Sequence, residues 1–94
     1  MSDTLVLNIP GDGDIHVLLQ GQRLETTSAV AQALEKILDN RPGLIVAIEA
    51  EESAHYEAIG MAIYGSTRAG FSGERLRVTV GGKPLLNGED NETR

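Results

Sequence analysis

The stretch from Leu44 to Gly70, LIVAIEAEESAHYEAIGMAIYGSTRAG, constrains the fold more than any other part of the chain. Its first seven residues are almost continuously apolar, the pattern of a strand covered by helices and set in the middle of a sheet. A few residues later the period changes. Tyr56, Ile59, Ile63 and Thr67 recur at helical spacing as one stripe. Gly70 follows where a left-handed residue closes a helix, and Phe71 is placed to fold back onto the last turn. Ser53 is read as the N-cap of this helix, and Gly60 and Gly65 should each weaken it by about 1 kcal/mol relative to Ala.

The remaining elements arrange themselves around that unit. Leu5, Val6, Leu7 and Ile9 make a first strand ended by Pro10, and Gly11-Asp12-Gly13-Asp14 is a turn cluster. Ile15 to Leu19 reads as a second strand, and Gln20-Gly21-Gln22 turns the chain into a short edge segment at Arg23-Leu24-Glu25. Thr26, Thr27 and Ser28 offer hydroxyl caps for a helix carrying Val30, Leu34, Ile37 and Leu38, broken at Asn40-Arg41-Pro42-Gly43. Leu76, Val78 and Val80 alternate with Arg75, Arg77 and Thr79 in a last strand with one polar face. The expected fold is an α/β (α+β) two-layer sandwich, β-β-α-β-α-β, with both helices on one face of a small mixed sheet. Residues 1–4 read as linker, 5–80 as the domain and 81–94, rich in Gly, Asn and acids, as a disordered acidic tail.

Composition narrows the partners. One Phe, two Tyr and no Trp leave a core of Leu, Ile, Val and Ala, small enough that self-association would add stability. An unpaired sheet edge at the 15–19 run or the 76–80 run would serve that pairing. A net charge of −6 without any basic stripe disfavours nucleic acid. The absence of cysteine removes disulfides, thiolate metal sites and a Cys nucleophile.

Three groups of residues invite a chemical reading. Asp12, Asp14 and His16 alternate so that an extended strand would put them on one face, where oxygen and nitrogen ligands could meet a divalent cation. Three ligands without a fourth are a weak signal, equally explained by a solvated turn, and no metal is expected. Glu49, Glu51, Glu52 and His55 form an acidic cluster at the strand-to-helix junction, where Glu52 also complements the positive end of the helix. Ser53, His55 and Glu57 contain the residue types of a hydrolytic triad, but i+2 neighbours on a helix point to different sides. No catalytic residue and no cofactor-binding residue is expected. Tyr56 and Tyr64, two helical turns apart, could mark an interaction stripe, with Tyr56 read as core.

The order of elements resembles the periplasmic domain of the ExbD/TolR family, small subunits of proton-driven inner-membrane complexes for biopolymer transport and envelope integrity. The resemblance lies in Gly13-Asp14-Ile15-His16-Val17, Gly21-Gln22-Arg23-Leu24, Ala31 to Leu38, Leu44 to Glu51, Tyr56 to Ile63, Ala69-Gly70-Phe71 and Leu76 to Val80. Glu51 stands where the family usually has Asp, and Phe71-Ser72-Gly73-Glu74 makes a longer final loop. The family's transmembrane anchor with its proton-accepting aspartate has no counterpart here, so the expectation is a periplasmic domain lacking its anchor. The resemblance implies a non-enzymatic homodimer, partnered with an ExbB/TolQ-like membrane subunit and contacting a TonB/TolA-like transducer or the cell wall. Glu51, Glu52, His55 and Tyr64 are the expected partner surface. The competing expectation is a small α/β ligand-binding regulatory domain, with Gly43 and the acids around Glu51 lining the site.

Overall fold

A computed structural model describes residues 3–41, 43–71 and 73–86. Six strands form one mixed sheet: β1 (Asp3–Ile9), β2 (Val17–Leu19), β3 (Gln22–Leu24), β4 (Leu44–Ala50), β5 (Leu76–Val80) and β6 (Lys83–Leu86). The two helices are α1 (Thr27–Asn40) and α2 (Tyr56–Arg68), and a short 3-10 turn at Gly73–Arg75 leads into β5. The sheet order is β3-β2-β1-β4-β5-β6. Its centre, β1-β4-β5, is parallel, and each flank is an antiparallel hairpin. The expected two-layer α+β sandwich is the observed one.

Alternation along the strands sorts the two faces. Leu5, Leu7, Ile9, Leu44, Val46, Ile48, Ala50, Leu76 and Val78 are buried under the helices, joined by Val17, Leu19 and Leu24 from the first hairpin. On the other face Thr4, Asn8, Glu49 and Arg77 are exposed while Val6, Leu18, Ile45 and Ala47 are half-buried. At ~25 cal/mol per Å² of buried apolar surface, it is the helix-covered face that stabilises the fold.

Local signals set the ends of the helices. The Thr26 hydroxyl accepts from the Ala29 amide at 3.0 Å, starting α1 as its side chain predicts. At the end of α2, Gly70 has φ +107°, its amide donates to the Thr67 carbonyl at 3.0 Å, and the Phe71 amide donates to the Ser66 carbonyl at 2.9 Å. This pair of bonds is a Schellman closure, and it delivers Phe71, fully buried, to the core. Arg75 lies over the Phe71 ring, 5.0 Å from its centroid, and its Nε donates to the Leu44 carbonyl at 3.2 Å.

Several expectations need correcting. The Ser53 hydroxyl donates to the Gly11 carbonyl at 3.2 Å, and α2 is capped by His55 instead, whose Nδ1 accepts from the Glu57 amide at 3.1 Å. The buried face of α2 is Ala58, Met61, Ala62, Gly65 and Ser66, with Ile59 and Ile63 partly buried beside it. Tyr56 is 77% exposed rather than core. Small residues face inward because α2 packs closely on α1: a Cβ at Gly65 would lie 2.5 Å from Val30 Cγ1. The second strand begins at Val17, leaving Ile15 on the surface. Both the 17–19 and the 76–80 runs are paired on two sides, and the sheet edges are β3 and β6. Lys83–Leu86, assigned to the tail, pairs with β5 through a two-residue turn in which Gly81 and Gly82 have φ +59° and +83°. Residues 87–94 of the expected tail lie outside the described residues.

Candidate functional site

The parallel strands β1, β4 and β5 end at the same side of the sheet, and the chain leaving them builds a shallow groove of about 690 Å³. Backbone bonds extend the ladder past the strands. The Glu51 amide donates to the Ile9 carbonyl at 3.0 Å, and the Gly81 amide donates to the Ala50 carbonyl at 2.9 Å. Asn8, Glu49, Glu51, Glu52, Thr79, Gly81 and Gly82 line the groove. Such a crevice beyond the carboxyl ends of parallel strands is a recurrent binding position in α/β proteins.

Its electrostatics are one-sided. Three carboxylates line the groove and no basic residue does so among the described residues. Glu51 and Glu52 are exposed, and the Gly81 backbone passes so close to Glu52 that a Cβ there would lie 3.1 Å from the Glu52 Cβ. The groove therefore presents solvated negative charge on a rigid strand end. That suits a cationic side chain or amine and offers nothing to an anionic ligand.

His55 follows directly on the same turn and stacks on Tyr56, ring centroids 5.2 Å apart and planes 24° from parallel. Tyr64 is 69% exposed and stands on α2 two turns beyond Tyr56, roughly 12 Å along the axis. Of the four expected partner-surface residues, Glu51 and Glu52 line the groove, whereas His55, at the N-terminus of α2, and Tyr64, further along that helix, are not among its lining residues. Gly43 lies before the opposite end of β4, seven strand residues from Glu51, so it does not share a site with the acids.

The Ser53, His55 and Glu57 set is dispersed by its own hydrogen bonds, since Ser53 is engaged with Gly11 and the His55 ring with the Glu57 backbone. Sequence reasoning missed Asn8 and Thr79 as groove residues. Their signal is register: in parallel pairing Asn8 lies opposite Glu49, and Glu49 opposite Thr79. No helix among the described residues is long and apolar enough to cross a membrane. No family model, curated protein or solved structure matches the chain.

Proposed function

We propose that this chain is the periplasmic domain of an ExbD/TolR-like subunit, an interaction module that transmits proton-motive force through protein contacts without making or breaking bonds. The observation that carries the reading is the unit β4-α2 with its ends. An apolar central strand runs out at Ala50-Glu51, and a helix opens beside an exposed aromatic and closes at Ala69-Gly70-Phe71. Among the described residues β3 and β6 are edge strands and one sheet face carries no helix, with Val6, Leu18, Ile45 and Ala47 half-buried there, which supports a homodimer. The acidic groove supports docking of a basic or amide-rich segment of a TonB/TolA-like transducer at Glu51, Glu52 and His55, with Tyr64 as an apolar anchor further along. An ExbB/TolQ-like membrane subunit would be engaged through an anchor, placing the domain in the periplasm.

The test is a titration of the isotopically labelled protein with the periplasmic segment of a TonB/TolA-like transducer. Amide shifts confined to Glu51, Glu52, His55 and Tyr64 are expected. A silent spectrum at millimolar transducer removes the reading. The groove itself favours one competitor, a regulatory domain for a small cationic metabolite. Saturable one-to-one binding of an amine at Asn8, Glu49 and Thr79, with no transducer response, would establish it instead.

A further inference from the structure

The loop between β1 and β2 contains a second constellation, separate from the groove. Asp12, Asp14 and His16 each offer one ligand atom, and these atoms lie within 4.8 Å of one another. The residues are not on an extended strand, since the segment is irregular, and what gathers them is the backbone at Gly13, where φ is +94°. The two aspartates are exposed and the histidine is not: His16 is 2% exposed. Its Nδ1 is buried without a hydrogen-bond partner among the described residues. Buried ring nitrogens are ordinarily satisfied, and this one belongs to a ring that also has a ligand nitrogen within 4.8 Å of two carboxylate oxygens.

We propose that Asp12, Asp14 and His16 form a surface site for a first-row divalent cation, one imidazole nitrogen and two carboxylate oxygens being the protein ligands and water completing the shell. Nitrogen and oxygen ligands about 2.0–2.2 Å from zinc at tetrahedral angles stand roughly 3.4 Å apart, so the three atoms need to close by at most about 1.4 Å. Two exposed aspartates flanking a glycine supply that movement by rotamer change while His16 stays fixed in the core. Mixed imidazole and carboxylate donors suit zinc, manganese or cobalt better than magnesium or calcium, which prefer all-oxygen shells. The Asp12 Oδ1 already accepts from the Asp14 amide at 3.0 Å, which leaves its second oxygen for the cation. Arg23 approaches Asp14 Oδ2 at 3.5 Å and also bonds Glu25, so its guanidinium competes with a metal for one carboxylate. The bound cation would fasten the loop whose Gly11 carbonyl is held by Ser53, next to the groove. The site stands on its own geometry and does not depend on the proposed function.

Zinc chloride, titrated calorimetrically into the full chain with the imidazole nitrogens followed by NMR, tests it. One zinc per chain is expected, with the His16 ring resonances displaced and those of His55 unmoved. Because replacing buried His16 could unfold the chain, the variants are Asp12→Asn with Asp14→Asn, which keep the amide-to-side-chain turn bond. They should weaken zinc by at least about tenfold while leaving the metal-free melting curve in place. Arg23→Gln should tighten it. The proposal is overturned if zinc binds with equal strength to the double variant, if it perturbs His55 in place of His16, or if no heat or shift is seen.

Discussion

Replacing Gly65 by alanine should destabilise the protein although alanine is the better helix former. A methyl at this position would sit 2.5 Å from Val30 Cγ1, 2.6 Å from Val30 Cβ and 3.2 Å from the Thr27 carbonyl. Carbon atoms in contact rest about 3.5–4.0 Å apart, so the overlap is on the order of 1 Å. Val30 is fully buried, and a β-branched side chain in a helix has one dominant rotamer, so it cannot swing aside. The helices must part instead, and overpacking of this kind costs about 1–3 kcal/mol. Helix propensity returns about 0.8–1 kcal/mol, leaving a net loss of up to about 2 kcal/mol. Gly60 is the internal control. Nothing lies within 4 Å of a Cβ built there, so Gly60→Ala should stabilise by up to about 1 kcal/mol. Urea denaturation of the two variants, with equal m-values, should place their midpoints on opposite sides of the wild type. In a Val30→Ala background the Gly65→Ala loss should shrink, which a double-mutant cycle reads directly. If Gly65→Ala matches or exceeds the wild-type midpoint, the close approach of α1 and α2 is not what selects glycine.

Gly70→Val should cost about 1–3 kcal/mol by chemical denaturation, because a β-branched residue is forced to φ +107°, whereas Gly43→Val, at ordinary φ in open space, should change the midpoint far less. Equal midpoints would refute the Schellman closure. Glu51→Lys should stay within about 0.5 kcal/mol of wild-type stability, its side chain being exposed, yet abolish transducer docking in the NMR titration. A variant that unfolds early or docks normally takes Glu51 off the partner surface. Metal-free protein should give the same far-ultraviolet circular dichroism as zinc-loaded protein, since no residue of 10–15 belongs to the hydrophobic core and His16 is buried without a metal; a chelator-dependent loss of helix signal would contradict this. Mass by light scattering should rise with concentration as copies pair, and a constant 10.0 kDa up to millimolar protein would show that the domain does not pair unaided.

The elements that announced themselves in the sequence are those whose ends have chemistry of their own. Thr26, Pro10 and Gly70 each do locally what their residue type does anywhere, and β4 declared its central place by being apolar on both faces. What stayed hidden depends on neighbours distant in the chain. Ser53 looks like a helix cap, but its hydroxyl is engaged by Gly11, 42 residues away. The stripe of Ile59 and Ile63 was the obvious apolar face, yet the deepest contacts of α2 are made by alanines, Gly65 and Ser66, because only small side chains let two helices approach. Gly81-Gly82 between Val80 and Lys83 was a hairpin signal read as the start of a tail, its acidic continuation outweighing the alternation before it. The groove was legible on β4, from Glu49 to Glu52, and illegible on β1 and β5, since Asn8 and Thr79 join it only through parallel register.

That parallel register also sets an order of events. Asp3 pairs with Leu44, and every rung between β1 and β4 spans the same 41 residues, whereas the hairpins β2-β3 and β5-β6 close through two-residue turns. The margins of the sheet can therefore form within microseconds, while its centre waits on the closure of a long loop. During synthesis β1 has no parallel neighbour until β4, 41 residues further along the chain, has left the ribosome, so one side of its backbone waits unpaired while the first hairpin and α1 are already free to form.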